Sequence, residues 1–188
     1  MDIVAVVGSP RRGGNTELLV RRIVQGAEER GASVARFFLH ELDIRPCAAC
    51  DACRAHTGAR CAVEDDMQSI HAALRRCAGV IVGTPVYWFN VSAQTKLFID
   101  RWYALGGPEG HELRGKRFAL AVAYADADPF VSGAANVHRA FADAVRWVEG
   151  TLVGTVYCTA GERGEVAHNA AVLAQAEELG RRLAAPAP

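Results

Sequence analysis

Five apolar runs of strand length alternate with stretches of helical periodicity along this chain, and few folds accommodate that alternation. The runs are residues 2–7, 33–39, 79–84, 117–125 and 151–159. Between them Leu19, Ile23 and Ala27 recur at a spacing of four, and Gly31 closes that helix. Met67, Ile70, Leu74 and Cys77 mark a second helical face, with Asp65 as its expected N-cap. Val91, Thr95, Phe98 and Trp102 mark a third; Val137, Phe141, Val145 and Val148 a fourth; Val172, Ala176, Leu179 and Leu183 a fifth. Strands that are apolar almost throughout belong in a parallel sheet covered on both faces by helices. The expected class is therefore α/β, doubly wound, with five parallel strands.

At 188 residues, 51% of them hydrophobic, the chain is long enough for one domain with a substantial core. That domain is expected over residues 1–184, with an Ala/Pro tail at 185–188 that frays. The formal net charge of +0 removes any electrostatic case for a nucleic-acid or membrane partner. No apolar run approaches the ~20 residues that span a bilayer. Met1-Asp2 leads straight into strand with no basic segment ahead of it, so a cytoplasmic address is expected. In that compartment six cysteines suit metal or redox chemistry better than structural disulfides.

The end of the first run carries the clearest chemical signal. Gly8-Ser9-Pro10-Arg11-Arg12-Gly13-Gly14-Asn15-Thr16 joins a strand to a helix. Backbone N–H groups, hydroxyls and two arginines at a helix N-terminus make an anion cradle, and phosphate is its natural guest. A flavodoxin-like strand order, 2-1-3-4-5, would open the ligand crevice where strands 1 and 3 diverge. Gly-Lys-Ser/Thr is missing, which excludes the mechanics of a P-loop NTPase, and Gly-x-Gly-x-x-Gly is missing too. The loop has no cysteine to act as a phosphatase nucleophile. A mononucleotide with a terminal phosphate remains, and FMN fits the fold class. A turn that merely links strand to helix is the bland alternative.

A second segment favours the ligand. Thr84-Pro85-Val86-Tyr87-Trp88-Phe89-Asn90 follows the third run, beside the first loop. A flavin ring needs a flat apolar wall and backbone groups at its polar edge. Tyr87, Trp88 and Phe89 are adjacent and cannot share one buried face, so at least one is expected at the surface.

On Gly8-Ser9-Pro10-Arg11 through Asn15-Thr16, Thr84-Pro85-Val86-Tyr87-Trp88 and Lys96-Leu97-Phe98-Ile99-Asp100-Arg101, the chain resembles the NADPH-dependent FMN reductases, over about residues 2–160. The resemblance implies that Ser9, Arg11, Asn15 and Thr16 hold the FMN phosphate and that Pro85, Val86, Tyr87 and Trp88 line the ring. It places the loop from Tyr124 to Asp128 over the flavin, and implies a homodimer or homotetramer with the site at an interface. NAD(P)H would be the hydride source, and a quinone, free flavin, nitro compound or protein the acceptor. Lys96, Asp100 and Arg101 are expected to be structural or partner-facing.

Cys47, Cys50, Cys53 and Cys61 form a separate constellation in the connection after strand 2. Three thiols at spacing three, and a fourth after the arm His56-Thr57-Gly58-Ala59, can converge on one centre. Four thiolates serve a four-iron four-sulfur cluster or tetrahedral zinc, and the compact spacing favours the cluster. Free or redox-active thiols are the third possibility. The pattern resembles that of the iron–sulfur flavoproteins, whose cluster passes electrons to FMN. Arg45, Arg54 and Arg60 are expected to lower thiol pKa values. Cys77 and Cys158 fall on core faces. The six histidines are scattered and read as surface, and Glu162, Arg163 and Glu165 as a solvated loop. Two competing functions follow from the thiols: an electron carrier between cluster and FMN, and a thiol or metal redox sensor.

Overall fold

A computed structural model describes residues 1–56 and 58–186. Its central sheet has five parallel strands: β1 (Asp2–Val7), β2 (Ser33–Phe38), β3 (Gly79–Tyr87), β4 (Arg117–Tyr124) and β5 (Thr151–Thr159). They lie in the order β2-β1-β3-β4-β5, the expected flavodoxin-like order 2-1-3-4-5. Five helices connect or cover them: α1 (Asn15–Glu28), α2 (Met67–Arg76), α3 (Ala93–Asp100), α4 (Ala134–Trp147) and α5 (Ala170–Ala184). The fold is flavodoxin-like.

Alternate residues of each inner strand serve opposite layers, because successive side chains of a strand point to opposite faces. Val4, Val6, Val80, Val82, Leu120 and Val122 pack with α2, α3 and α4. Ile3, Ala5, Ile81, Ala119 and Ala121 pack with α1 and α5. The first layer is thick with aromatics: Trp102 meets Phe98 edge-on at 5.5 Å and Phe118 at 5.7 Å between ring centroids. Cys77 and Cys158 are buried core residues, as their positions implied.

Three boundaries depart from expectation. β2 ends at Phe38, because Leu39–Glu41 winds into a 3₁₀ turn. β4 ends at Tyr124. β3 continues through Pro85 to Tyr87, where the chain reverses and Tyr87 pairs with Asn90 and Val86 with Val91. Only two residues, Trp88 and Phe89, make that reversal, at φ +48° and +61°. Such a hairpin needs φ > 0 at both central positions, normally supplied by Asn-Gly. Two bulky aromatics there hold a strained backbone.

Asp65 accepts the Met67 N–H at 3.1 Å at the start of α2, from one residue ahead of the cap position. At the other end of the chain, Arg117 donates to the carbonyls of Arg182 and Ala185, so the expected tail is anchored at its start. Residues 187–188 of that tail lie outside the described residues, as does Thr57 of the cysteine arm. Among the described residues, no helix is long and apolar enough to cross a membrane.

Candidate functional site

The ends of β1, β3, β4 and β5 converge on one cavity of about 250 Å³. It sits where β1 and β3 diverge to opposite sides of the sheet, the position at which doubly wound sheets bind ligands. From the loop after β1 come Ser9, Arg11, Gly14, Asn15 and Thr16. Pro85, Val86 and Tyr87 come from the end of β3, and Tyr124 and Ala125 from the end of β4. The loop after β5 adds Ala160, Gly161 and Arg163.

The loop after β1 is shaped by its own hydrogen bonds. Gly8 N–H donates to the Gly83 carbonyl (2.8 Å), joining the ends of β1 and β3. Ser9 Oγ accepts from Arg11 N–H, and Gly14 N–H donates to the Arg11 carbonyl. Gly13 turns the chain at φ +65°, a conformation costly for other residues. Among the described residues, no side chain caps α1, whose first residue follows Gly14. Its free amides therefore carry the helix's partial positive charge toward the cavity.

A buried polar triad fixes this edge from below. Ser92 Oγ donates to the Gly8 carbonyl (2.7 Å) and accepts from Thr95 N–H (3.2 Å), while Ser92 N–H donates to Thr84 Oγ1 (3.1 Å). Thr84, Ser92 and Thr95 are fully buried. Thr84 and Thr95 were visible in the ligand-wall segment and on the third helical face; their partner Ser92 was overlooked, although a serine just ahead of that face is placed to cap α3.

Of the residues expected at the ligand, Ser9, Arg11, Asn15, Thr16, Pro85, Val86, Tyr87 and Tyr124 all line the cavity. Asn15, however, commits its side chain elsewhere. Its Nδ2 donates to the carbonyls of Glu162 (2.7 Å) and Ala160 (3.4 Å), and its Oδ1 accepts from Val166 N–H (3.1 Å). The side chain ties the β5 loop down, which leaves the backbone amide of Asn15 for a ligand. Trp88 and Phe89 stand at the hairpin tip outside the lining, 92% and 57% exposed. With Tyr87, all three adjacent aromatics reach the surface.

Arg163 corrects the picture of a solvated loop. It reaches back to donate to the Arg12 carbonyl and lies beside Gly13, so it is a second cation over the β1 loop. The signal was available: the ends of β1, β3 and β4 supply residues to the cavity, and Arg163 follows β5 at the same sheet edge. Arg12, by contrast, is taken up by Glu41 at 2.7 Å and stacks 3.8 Å from the Phe38 ring centroid.

Cys47, Cys50, Cys53 and Cys61 line a second, tighter cavity, together with Arg101, Tyr103 and Ala104. The loop that carries them bends through left-handed residues, Ala49 (φ +50°) and Asp51 (φ +54°). Tyr103 donates to Asp51 at 2.8 Å, and Arg54 lies over the Tyr103 ring at 4.2 Å. As it stands the cavity holds about 10 Å³, no more than one water needs. Among the described residues, no three His, Cys, Asp or Glu side chains are gathered tightly enough to grip one metal ion. The Cys53 thiol lies above its ordinary pKa: burial raises it, the neighbouring Cys61 adds to that, and Arg54 only partly offsets both. At Cys53, therefore, nearby arginine does not win over burial.

Arg101 and Asp65 form a wholly buried ion pair under this loop, each side chain 0% exposed, with Nη1 2.5 Å from Oδ2 and Nη2 3.0 Å from Oδ1. Lys96, in contrast, makes an exposed pair with Asp100 one turn on. His71 is buried too, which corrects its reading as a surface residue. Its Nε2 lies 2.9 Å from the Arg101 carbonyl, so the ring is the neutral tautomer donating from Nε2. Burial pushes the His71 pKa from 6.5 down to about 4. An unfolded chain therefore takes up a proton below pH 6.5 that the folded chain refuses. Stability should fall by about 3 kcal/mol as pH drops from 6.5 to 4 on this account, and His71→Gln should flatten that part of the curve. Urea midpoints measured against pH for both proteins check it.

Comparison with known proteins agrees with the fold. The chain is 38% identical over 120 residues to an iron–sulfur flavoprotein of Methanosarcina thermophila; the match covers 64% of this chain and 58% of that protein. Its structure superimposes on the Trp repressor binding protein from Bacillus subtilis with a TM-score of 0.71 at 27% identity, covering 94% of this chain and 98% of the other. An NAD(P)H:quinone oxidoreductase from Methanothermobacter marburgensis shares the fold with a TM-score of 0.77 at 16% identity, covering 100% and 99%. The model of the NADPH-dependent FMN reductases matches residues 1–165, which takes in every strand and both cavities, and the chain belongs to that family.

Proposed function

We propose that the protein is an FMN-dependent oxidoreductase that takes hydride from NAD(P)H and passes electrons to a small-molecule or protein acceptor. The observation that carries this reading is the single cavity with two chemically different ends. One end gathers uncapped helix amides, Ser9, Thr16, Arg11 and Arg163; the other gathers Pro85, Val86, Tyr87 and Tyr124. The first suits a dianionic phosphate and the second an aromatic ring.

Bound there, FMN would supply the redox chemistry itself, as a two-electron hydride acceptor able to release electrons singly or in pairs. The chain's task is binding and orientation. Arg11 and Arg163 would neutralise phosphate charge; Asn15 holds the β5 loop against the β1 loop, so that both arginines line one cavity. The Thr84–Ser92–Thr95 triad keeps the β1 and β3 ends in fixed register. At about 250 Å³ the cavity is smaller than the ~300–1,000 Å³ that usually encloses a cofactor, so one ring face would stay open for a nicotinamide. Trp88, Phe89 and Phe130 are exposed, the first two next in sequence to Tyr87 of the lining, and a second copy of the chain covering them would make a homo-oligomer.

Arg11→Ala is expected to weaken FMN binding by about tenfold through loss of one charge-assisted contact. NAD(P)H oxidation should fall only at limiting FMN. Cys53→Ala should leave FMN binding unchanged. Flavin fluorescence titrations and steady-state rates at two FMN concentrations measure this; unchanged affinity in Arg11→Ala would remove the phosphate placement.

A second reading adds a four-iron four-sulfur cluster on Cys47, Cys50, Cys53 and Cys61, relaying electrons to or from FMN. Four thiols around one cavity support it, and a cubane spreads its thiolates wider than a single zinc ion can. Among its described residues the loop contains nothing more regular than the three-residue turn Ala52–Arg54, so it can yield outward around an occupant.

A further inference from the structure

We propose that Arg101 is the positioning residue of the cysteine site: it closes the base of the loop and offers one hydrogen-bond donor to the sulfur-rich anion held inside. This rests on the reading of the four cysteines as cluster ligands.

The guanidinium holds both ends of the loop at once. Nη1 donates to the Arg45 carbonyl (2.8 Å), and Nη2 reaches the Val63 carbonyl (3.4 Å). Arg45 stands just ahead of Cys47 and Val63 just beyond Cys61, so one side chain fixes the span on which all four thiols depend. Asp65 orients that fork, and the His71 ring holds the Arg101 carbonyl.

The fifth donor is unused. Arg101 Nε is buried and has no hydrogen-bond partner, although every other N–H direction of the fork faces an acceptor. An orphaned donor in a dry interior is costly; among the described residues Arg22 Nε, Arg54 Nε and Trp102 Nε1 are orphaned too, but of the four residues Arg101 alone lines the cavity of the thiols. Arg101 also lines the cavity shared by the four thiols, and its guanidinium lies beside the Cys61 sulfur. A thiolate or bridging sulfide is the acceptor that chemistry would put there. Hydrogen bonds to cluster sulfurs stabilise the more negative, reduced form and so raise the reduction potential.

A purely structural ion pair would change stability and nothing else, which separates the two roles. Arg101→Lys keeps the buried charge opposite Asp65 but lacks both the fork and the Nε–H. The test uses protein reconstituted anaerobically with iron, sulfide and FMN. Wild type and Arg101→Lys are compared for iron release to a chelator and for cluster midpoint potential, with bound FMN as the control. The lysine variant should keep its FMN, release iron about tenfold faster and show a lower potential. If it does not fold, the double variant Asp65→Asn/Arg101→Gln, which removes both buried charges together, should show the same two shifts. Wild-type release rate and potential in the folded variant would overturn the role given to Arg101 and leave the cluster reading intact. Wild-type protein that binds FMN but no iron would overturn both.

Discussion

Asp65→Ala should destabilise the protein by about 3–5 kcal/mol, the usual cost of stranding one partner of a buried ion pair. The variant leaves the Arg101 guanidinium charged in a site where its side chain has no solvent contact. It also removes the acceptor for Arg45 N–H (2.9 Å) and for Met67 N–H at the start of α2 (3.1 Å). Burial raises the Asp65 pKa, yet the hydrogen bonds from Arg101, Arg45 and Met67 outweigh it and hold the carboxyl below its ordinary value. The contribution is therefore present above the unfolded pKa and is lost as pH falls through the folded one. Urea unfolding at neutral pH measures the loss. The exposed pair Lys96–Asp100 supplies the contrast: Asp100→Ala should cost about 0.5 kcal/mol or less.

Gly180→Ala should cost about 3 kcal/mol, at the upper end for an overpacked contact. A Cβ on Gly180 would lie 1.9 Å from the Ile23 carbonyl oxygen and 2.9 Å from the Ala27 nitrogen. The contact is reciprocal, since a Cβ on Gly26 would lie 1.9 Å from the Glu177 carbonyl oxygen. Helices α1 and α5 thus meet backbone to backbone, and neither can yield without lifting off the sheet face packed by Ile3, Ala5 and Ile81. For a chain of this length the loss corresponds to a Tm lower by about 10 °C. Gly107→Ala, where an added Cβ meets nothing within 4 Å, should change stability by less than about 0.5 kcal/mol.

The fold was legible because its strands are buried and therefore apolar, and because each helix repeats its core face at near-helical spacing. The strand and helix positions, and the buried faces carrying Leu19, Ile70, Phe98 and Phe141, followed from that patterning; the strand order came from the flavodoxin-like class, and the layers only from the structure. What the pattern hid was hydrogen bonding at long range. Asn15 looked like a phosphate ligand because its type and place fit; only the approach of the β5 loop spends its side chain on Glu162 and Val166. Arg163 looked solvated because its neighbours are polar, yet the closeness of the β1 and β5 ends turns it toward Arg12. Pro85 read as a strand stop, whereas β3 pairs on through it with Ala123 and then with its own hairpin arm. Arg101 was legible as structural, but its buried partner Asp65 was expected only to cap a helix. Pairs so far apart in sequence leave no periodic trace.

On the proposed function, the cavity at the ends of β1 and β3 recognises a flavin through its phosphate. Titrating the apoprotein with FMN and with riboflavin, which lacks that phosphate, tests it most directly. Two charge-assisted contacts from Arg11 and Arg163, with the α1 amides, should make FMN bind at least ~100-fold more tightly than riboflavin. Saturable one-to-one quenching of flavin fluorescence by FMN, with riboflavin far weaker, is the predicted result; equal affinity for the two would contradict it.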